Sequence, residues 1–153
     1  MRRPEWVLTE TVIALHEQLL AAFGGSAGVR DAGLLQSAMA RPQNLVAHGK
    51  PTVFDLAASY AFGLVKNHPF VDGNKRTGFA VAVLFLELNG CRLDAAEADA
   101  AIRTLALAAG DLDERGFADW LRANSRRARR QSSLDFARDD PEPVEGSSAP
   151  DRS

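Results

Sequence analysis

Residues 78–88 limit the folds open to this chain more than any other stretch, because they are apolar nearly all the way round. A helix at a protein surface keeps a polar face, whereas a helix without one has to be covered on most of its sides. With 153 residues, the chain can supply one domain with a substantial core. We therefore predict that residues 78–88 form a central helix, ended by Asn89 and Gly90, around which the other elements pack.

Two amphipathic helices are predicted near the start of the chain. Thr9 is expected to cap the first, whose apolar stripe includes His16 as a hydrogen-bonded core residue rather than a metal ligand. That helix should stop at Gly24. Asp31 is expected to open the second helix, and Pro42 to follow its end, because the residue before a proline avoids helical dihedral angles.

A third helix is predicted immediately before the central one. Residues 43–50 carry too few periodic apolar positions for a helix, so we predict a loop or short exposed hairpin there. Thr52, with Asp55 three residues later, has the spacing of a capping box and is expected to open the third helix. This helix should end close to His68.

Two more helices are predicted after the central one, the first opened by Asp94 with Glu97 and the second by Asp113. Their predicted buried residues are Ile102, Leu105 and Leu107 in the first, and Phe117, Trp120 and Leu121 in the second. No alternating apolar and polar run is long enough for a sheet. The predicted fold class is therefore all-α, a compact bundle of about six helices around a buried central helix, with a short flap at residues 43–50.

Beyond Trp120 the apolar positions run out and the composition changes. Four arginines between residues 126 and 130 form a basic cluster, and residues 131–153 are rich in Ser, Pro, Asp and Glu. We predict one domain over residues 1–130 and a disordered tail over residues 131–153, whose deletion should leave stability and activity unchanged. The cluster also suits the C-terminal end of a helix, and the net charge of −2 provides no overall attraction to nucleic acid, so we expect no direct binding of nucleic acid.

The remaining composition argues for a cytoplasmic protein without a membrane partner. No apolar run approaches the roughly 20 residues needed to span a bilayer, and the first residues do not resemble a signal peptide. Cys91 is the only cysteine, which excludes an intrachain disulfide. We interpret it as a small buried residue rather than a nucleophile.

The residues with the greatest chemical potential lie directly before the central helix, in HPFVDGNKRT at residues 68–77. A proline and a Gly-Asn pair favour a sharp turn, after which a new helix starts. The first N–H groups of a helix lack intrahelical partners, so the backbone of Gly73, Asn74 and Lys75 is a candidate anion site. Lys75 and Arg76 add positive charge. A turn followed by a solvated helix face is the ordinary alternative, although cations in a first turn oppose the helix dipole.

Taken together, residues 68–77 resemble the signature of the Fic/Doc family, His-Pro-Phe-x-Asp/Glu-Gly-Asn-Gly/Lys-Arg, whose members transfer parts of nucleotides onto protein hydroxyls. The resemblance covers about residues 8–121 and implies the compact Doc-type fold. It also implies that Phe70 faces the core and has no chemical role. Residues 43–50 would then correspond to the flap that lines the active site and holds the backbone of the target protein.

Transfer to a hydroxyl requires a base, positive charge around the moving phosphate and a divalent metal. His68 is the candidate base, because imidazole exchanges protons near physiological pH. Asp72 is the only carboxylate of the motif and the candidate Mg²⁺ ligand, and Arg76 is assigned a catalytic role as well as phosphate binding. The predicted nucleotide- and phosphate-binding residues are Gly73, Asn74, Lys75 and Arg76.

Lys75 distinguishes between two reactions. Nucleotidylating Fic proteins generally have Gly at this position and a second Arg three residues after the motif Arg, where this chain has Phe79. Lys at this position resembles the death-on-curing toxins, in which the nucleotide is thought to lie reversed so that the γ-phosphate is transferred. The resemblance therefore favours a protein kinase that uses ATP and Mg²⁺, with a protein adenylyltransferase as the alternative.

The resemblance also implies partners. Death-on-curing toxins are held by a separate antitoxin, and no Glu of this chain has Ser or Thr four residues before it, as the intramolecular inhibitory helix of some Fic proteins would require. The implied target is a translation factor such as elongation factor Tu, whose modification would arrest growth. A non-catalytic interaction module remains an alternative, but such a module would not need His68, Asp72 and Arg76 together.

Overall fold

Six helices and a two-stranded ladder make up the part of the chain that the computed structural model describes, residues 3–128. The helices are α1 (Thr9–Phe23), α2 (Ala32–Ala47), α3 (Val53–Asn67), α4 (Asn74–Leu88), α5 (Glu97–Ala109) and α6 (Glu114–Ala123). Strand β1 (Cys91–Leu93) pairs antiparallel with β2 (Ser125–Arg127). The predicted all-α class is confirmed. The predicted domain boundary after residue 130 and the tail lie outside the described residues.

Helices α3 and α4 share the centre of the core. Residues 56–61 of α3 are all buried, and α4 buries Val81, Phe85 and Leu86. The two helices approach closely at Gly78, where a Cβ atom would lie 2.9 Å from Cγ2 of Val65 and 3.2 Å from the carbonyl oxygen of Ala61. The prediction that residues 78–88 are central is confirmed, but one side of α4 remains only half-buried and faces a cleft.

Several predicted helix starts are confirmed by side-chain caps. Asp31 accepts the N–H of Leu34 at 2.9 Å, and Asp113 accepts that of Gly116 at 2.7 Å. Thr52 and Asp55 form the reciprocal capping box. These caps depend on residues three apart, which is why the sequence alone could identify them.

Two predicted caps are wrong. Thr9 is the first residue of α1, and Leu8 precedes it without a side-chain cap. Asp94 does not open α5, whose N-cap is Ala96. Instead, the N–H of Asp94 donates to the carbonyl oxygen of Asn124 at 2.7 Å, so this residue extends the contact between β1 and β2. This hydrogen bond joins residues 94 and 124, and it overrides the local sequence signal for a helix cap at Asp94.

The predicted helix end before Pro42 and the predicted loop or hairpin over residues 43–47 are wrong, because α2 continues through Pro42 to Ala47; residues 48–50 form a loop as predicted. A proline inside a helix removes one hydrogen bond and costs about 3 kcal/mol. Tertiary contacts offset this cost: Pro42 is buried, and Arg41 donates to the carbonyl oxygen of Ser59 at 3.1 Å and forms an ion pair with Glu114 at 2.9 Å. Only residues 48–52 remain as a connection.

Helix α5 presents a different face to the core from the predicted one. Ile102 is 62% exposed and Leu105 is 54% exposed, while Leu107 is buried as predicted. The buried face consists of Ala100, Thr104 and Leu107. The small side chains of Ala100 and Thr104 let the helix lie close to its neighbours. In an alanine-rich segment, the spacing of apolar residues does not indicate which face will be buried. In α6, the predicted burial of Phe117, Trp120 and Leu121 is confirmed.

The first part of the basic cluster lies in a strand and not at the end of a helix. Arg126 and Arg127 belong to β2, where Arg126 faces Arg92 across the ladder; residues 129 and 130 are outside the described range. Cys91 is half-buried against the core, and burial raises the pKa of its thiol although the charge of Arg127 opposes this. Within residues 3–128, no helix combines the length and apolar character needed to cross a membrane.

Candidate active site

An apolar cleft of about 1060 Å³ ends at the predicted motif. Residues of α1, α4, α5 and β1 form its walls, and the half-buried side of α4, with Phe79 and Val83, forms much of its floor. The lining is therefore mostly apolar, with a group of polar residues at the motif end and with Glu87, Glu97 and Thr104 elsewhere. The structure places every predicted site residue at that end: His68, Asp72, Gly73, Asn74, Lys75 and Arg76.

His68 stands directly after the last residue of α3 in an uncommon backbone conformation. Its φ of 55° and ψ of 52° are left-handed, and among residues 3–128 it is the one non-glycine residue with positive φ. The predicted departure from right-handed helical angles is confirmed, although a residue before proline is ordinarily extended. The turn exposes the His68 side chain at the cleft, while Pro69 and Phe70 are buried behind it.

Asn74 fixes both the motif loop and the imidazole of His68. The amide oxygen of Asn74 accepts the N–H of Phe70 at 2.9 Å, and its nitrogen donates to the carbonyl oxygen of Phe70 at 2.9 Å. This reciprocal pair sets the orientation of the amide, whose nitrogen also lies 3.0 Å from Nδ1 of His68. The neutral His68 ring in this arrangement accepts at Nδ1 and carries its hydrogen on Nε2.

The predicted role of the Asn74 side chain as a phosphate ligand does not match this geometry. Asn74 is only 3% exposed, and its amide is engaged by the loop and by His68. Its backbone N–H group is the part that remains at the start of α4. The local sequence suggested that this amide would bind an anion. Instead, its two hydrogen bonds to the backbone of Phe70 turn it toward the inside of the loop.

Removing the Asn74 amide should destabilise the fold. In Asn74→Ala, the buried N–H and carbonyl groups of Phe70 lose their partners, which should lower the free energy of unfolding by about 1–3 kcal/mol. Urea denaturation measures this change. Asn44→Ala, an exposed position on α2, serves as the matched control and should stay within about 0.5 kcal/mol of the parent protein. Equal stability of the two variants would contradict the role assigned to Asn74.

His16 and Phe70 hold the loop from beneath. Phe70 is fully buried and stacks on the His16 ring, with centroids 3.8 Å apart and an interplanar angle of 10°. His16 is 2% exposed, and its Nε2 lies 2.8 Å from the carbonyl oxygen of Asp72. Because a carbonyl can only accept, Nε2 carries a hydrogen. The predictions that His16 is a hydrogen-bonded core residue and that Phe70 faces the core are confirmed.

A segment that sequence reasoning did not single out, residues 28–30, braces the other side of the loop. Val29 and Phe70 form an isolated antiparallel bridge, and the N–H of Val71 donates to the carbonyl oxygen of Gly28 at 3.0 Å. Arg30 donates from Nε to the carbonyl oxygen of His68 at 2.7 Å and from a terminal nitrogen to that of Asn67 at 3.0 Å. Nothing in the local pattern around Arg30 indicates these contacts, because they join residues far apart in the chain.

Asp72 is exposed at the cleft with both carboxylate oxygens facing backbone N–H groups. One oxygen accepts from Gly73 at 2.9 Å, and the other accepts from Ser26 at 3.3 Å. Within residues 3–128, no group of three or more His, Cys, Asp or Glu side chains could hold a metal ion by itself. A lone exposed carboxylate fits Mg²⁺, which takes one or two protein carboxylates and completes its shell with phosphate oxygens and water.

Positive charge gathers at the start of α4. The N–H of Thr77 is bonded to the carbonyl oxygen of Gly73 at 3.0 Å, which leaves the three N–H groups before it without intrahelical partners. Lys75 and Arg76 are exposed in the same turn. The guanidinium carbon of Arg76 lies 4.3 Å from the centroid of the Phe23 ring, a cation–π contact that holds its charge at the α1 wall. This arrangement suits a phosphate group.

Phe79 occupies the position at which nucleotidylating Fic proteins are expected to carry a second arginine. Its ring is half-buried and tilted against Trp120, with centroids 6.5 Å apart. An apolar side chain packed in this way offers no donor to a phosphate. Among residues 68–77 and Phe79, only Lys75 and Arg76 therefore bring a lysine or arginine charge to the cleft.

Comparison with known proteins identifies the family of the chain. The family model described as Fic/DOC matches residues 6–86. Toxin Doc of Mycolicibacterium smegmatis is 50% identical over 76 residues, which cover 48% of this chain and 58% of that relative. Protein kinase doc of Escherichia phage P1 is 36% identical over 115 residues, which cover 74% of this chain and 90% of that protein. The match thus spans little more than half of the mycobacterial relative and nearly all of the phage protein.

The family match covers more than half of the chain and includes the whole motif, from His68 to Thr77. The phage relative extends the similarity over most of the described helices. The predicted resemblance is confirmed, and the chain belongs to the Fic/DOC family.

Proposed function

We propose that this protein is the toxin of a toxin–antitoxin system and that it transfers the γ-phosphate of ATP to a hydroxyl of a target protein. The observation that carries the proposal is the meeting of His68, Asp72 and the cationic start of α4 at one end of one cleft. The names of the relatives, a Doc toxin and a protein kinase doc, support it. The rest of the nucleotide would lie in the remainder of this cleft, whose volume is about 1060 Å³.

The start of α4 would hold the transferred phosphate. An anion at this position would be attracted by the backbone N–H groups of residues 74–76, which lie at the positive end of the helix dipole. The charged side chains of Lys75 and Arg76 would attract it further. Asp72 would hold Mg²⁺, which would neutralise part of the charge of the nucleotide phosphates. The hydrogen bond from Gly73 keeps the Asp72 carboxylate beside the same turn.

His68 would take the proton of the attacking hydroxyl. In the described arrangement the ring lone pair lies at Nδ1 and receives a hydrogen from Asn74. The hydroxyl therefore has to replace the Asn74 N–H at Nδ1, or the ring has to exchange tautomers so that Nε2 presents the lone pair. Either route keeps His68 at the cleft, since its backbone is held by the turn after α3.

Two residues near Arg76, Lys75 and Phe79, favour phosphate transfer over transfer of AMP. The Lys75 side chain fills space in which a glycine would leave bare backbone, and Phe79 cannot clamp a second phosphate. Adenylyl transfer is the second candidate activity, because the remaining motif residues are those of the broader family. A non-catalytic interaction module is less favoured, since it would have no use for a base held beside an anion site.

The proposal includes two protein partners in the cytoplasm. A cognate antitoxin acting in trans is supported by the toxin names of the relatives. The proposed target is a translation factor such as elongation factor Tu, whose modification would stop growth. Exposed Leu45 and Val46 near the end of α2 lie where the flap was predicted, but their helical geometry means that the target would not meet a hairpin there.

Intact-mass spectrometry tests the proposal most directly. The purified protein is incubated with ATP, Mg²⁺ and a candidate target, and the mass of the target is measured before and after. Added phosphate supports the kinase, an added adenylyl group supports the alternative, and an unchanged mass across a panel of translation factors contradicts the proposed target class. A protein carrying His68→Ala provides the inactive control.

Neutralising Asp72 should weaken nucleotide binding only when the metal is present. Asp72→Asn can still accept a hydrogen bond from Gly73 but loses the charge that attracts Mg²⁺, so affinity for Mg²⁺–ATP should fall by about tenfold or more. Titration calorimetry with Mg²⁺ and with a chelator measures the difference. Asp111→Asn, an exposed carboxylate outside the cleft, is the control. Equal Mg²⁺-dependent affinity in the two variants would remove Asp72 from the metal site.

A further inference from the structure

We infer that Arg30 is a positioning residue for His68, whose guanidinium holds the backbone turn that presents the imidazole to the cleft. The catalytic meaning of this inference rests on the proposed function, whereas the positioning itself does not. Arg30 is not itself one of the residues that line the cleft, and its side chain contacts His68 only through the backbone carbonyl group.

Three consecutive carbonyl groups around His68 accept hydrogen bonds from one short segment. The side chain of Arg30 donates to the carbonyl oxygens of Asn67 and His68, at 3.0 and 2.7 Å. The backbone N–H groups of Arg30 and Asp31 both donate to the carbonyl oxygen of Pro69, at 2.6 and 3.0 Å. The turn is therefore gripped immediately before, at and after the residue that carries the candidate base.

These carbonyl groups need partners from outside the helix. The last carbonyl groups of a helix have no intrahelical donor, and α3 ends at Asn67. Glycine often follows a helix end because it adopts left-handed angles without strain, but His68 adopts them with a full side chain. Hydrogen bonds from Arg30 stabilise this turn, and they direct the imidazole to Asn74 and the cleft.

Arg30 itself is well anchored for this role. Asp31, its neighbour, caps α2 by accepting the N–H of Leu34, and Val29 forms the bridge to Phe70. Within the described residues 3–128, Arg30 forms no ion pair with a carboxylate. Its described donors are directed to backbone carbonyl groups, as expected for a residue that shapes the turn.

Arg41 offers a matched control, because it is also an arginine that donates to a backbone carbonyl. It bonds to Ser59 and forms an ion pair with Glu114, which joins α2, α3 and α6 away from the motif. Loss of Arg41 should lower the melting temperature without altering the His68 ring. A general loss of stability and a specific loss of positioning are thereby separated.

The first measurement does not depend on activity. The chain contains three histidines, and their ring C–H signals can be followed by NMR in Arg30→Ala, Arg30→Lys and Arg41→Ala. We expect Arg30→Ala to shift and broaden the His68 signal, while the exposed His48, bonded to Asn44 at the end of α2, acts as the internal reference. Arg41→Ala should leave the His68 signal in place, and Arg30→Lys should fall between the two.

The second measurement is the rate of transfer to the target. Because small misplacements of a reacting group reduce rates by up to about 100-fold, Arg30→Ala should lower kcat by roughly 10- to 100-fold and leave KM for ATP within about twofold, since the phosphate site at α4 is untouched. Arg30 is exposed, so added guanidinium ion should restore part of kcat in Arg30→Ala and none in His68→Ala.

Each outcome bears on the inference. An unchanged His68 signal in Arg30→Ala overturns it, as does an unchanged kcat, or a fall in kcat that Arg41→Ala reproduces at equal folded fraction. If the parent protein transfers nothing from ATP to any target, the proposed function fails. In that case the NMR comparison alone decides the positioning role, with a shifted His68 signal supporting it.

Discussion

Replacing His68 with alanine should abolish both transfer to the target and growth arrest while leaving the fold intact. A positioned general base contributes about 10²–10⁴-fold to a rate, and His68 is the only titratable side chain of the motif that can accept a proton from a hydroxyl while Asp72 holds the metal. Expression of the variant in cells and intact-mass spectrometry of the target provide the two readouts.

The fold should survive because little packing is lost. The side chain of His68 is exposed, and its described hydrogen bond runs to Asn74, which keeps its two bonds to Phe70 in the variant. Circular dichroism and the melting temperature check this. His48→Ala, which removes an exposed imidazole bonded to the carbonyl oxygen of Asn44, should retain full toxicity. Growth arrest by His68→Ala at the parental level would refute its assignment as the base.

The identity of the transferred group is the second large effect, and Lys75 should decide it. With Lys75 exposed in the first turn of α4 and Phe79 packed on Trp120, the site offers one cationic cluster and no second clamp. ATP labelled at the γ-phosphate should therefore mark the target, and ATP labelled at the α-phosphate should not. The two labels are compared in parallel reactions on the same target.

Lys75→Gly should lose phosphorylation and gain at most a trace of adenylylation. The substitution removes a cation and bares the backbone at the start of α4, while Phe79 still denies the second contact. Lys75→Ala separates the loss of charge from the opening of the backbone, and Lys50→Gly, in the exposed connection after α2, controls for a general loss of Lys. Transfer of α-label alone by the parent protein would refute the kinase proposal and favour the adenylyltransferase.

Local chemistry explains which structural predictions succeeded. The caps at Asp31, Thr52 and Asp113 each join a side chain to a backbone group three residues away, and such pairs are visible in any sequence. The start of α4 after Gly73 is equally local, because φ of 79° suits glycine. The motif itself contains the side chains that line the polar end of the cleft, so its position could be predicted with little knowledge of packing.

Predictions failed where contacts between segments far apart in the chain outweigh a preference of the local sequence. Pro42 was expected to end α2, but the contacts of Arg41 with α3 and α6 sustain the helix. Ile102 and Leu105 have the spacing of a buried face, yet α5 turns its smaller residues inward. At Pro42 the tertiary contacts offset a local cost of about 3 kcal/mol, whereas in α5 the helix itself forms as predicted and packing decides only which face is buried.

The sequence by itself determined that helices would pack around a largely apolar one and that a base, a carboxylate and two cations would lie together before it. Only the tertiary structure decided how the base is held. His68 adopts a left-handed turn, Asn74 directs its amide to the His68 ring, and Arg30 donates hydrogen bonds to three carbonyl groups around that turn. The local sequence does not specify the geometry of any of these contacts. A ten-residue motif can name the reacting groups, but their orientation depends on hydrogen bonds from segments folded against it.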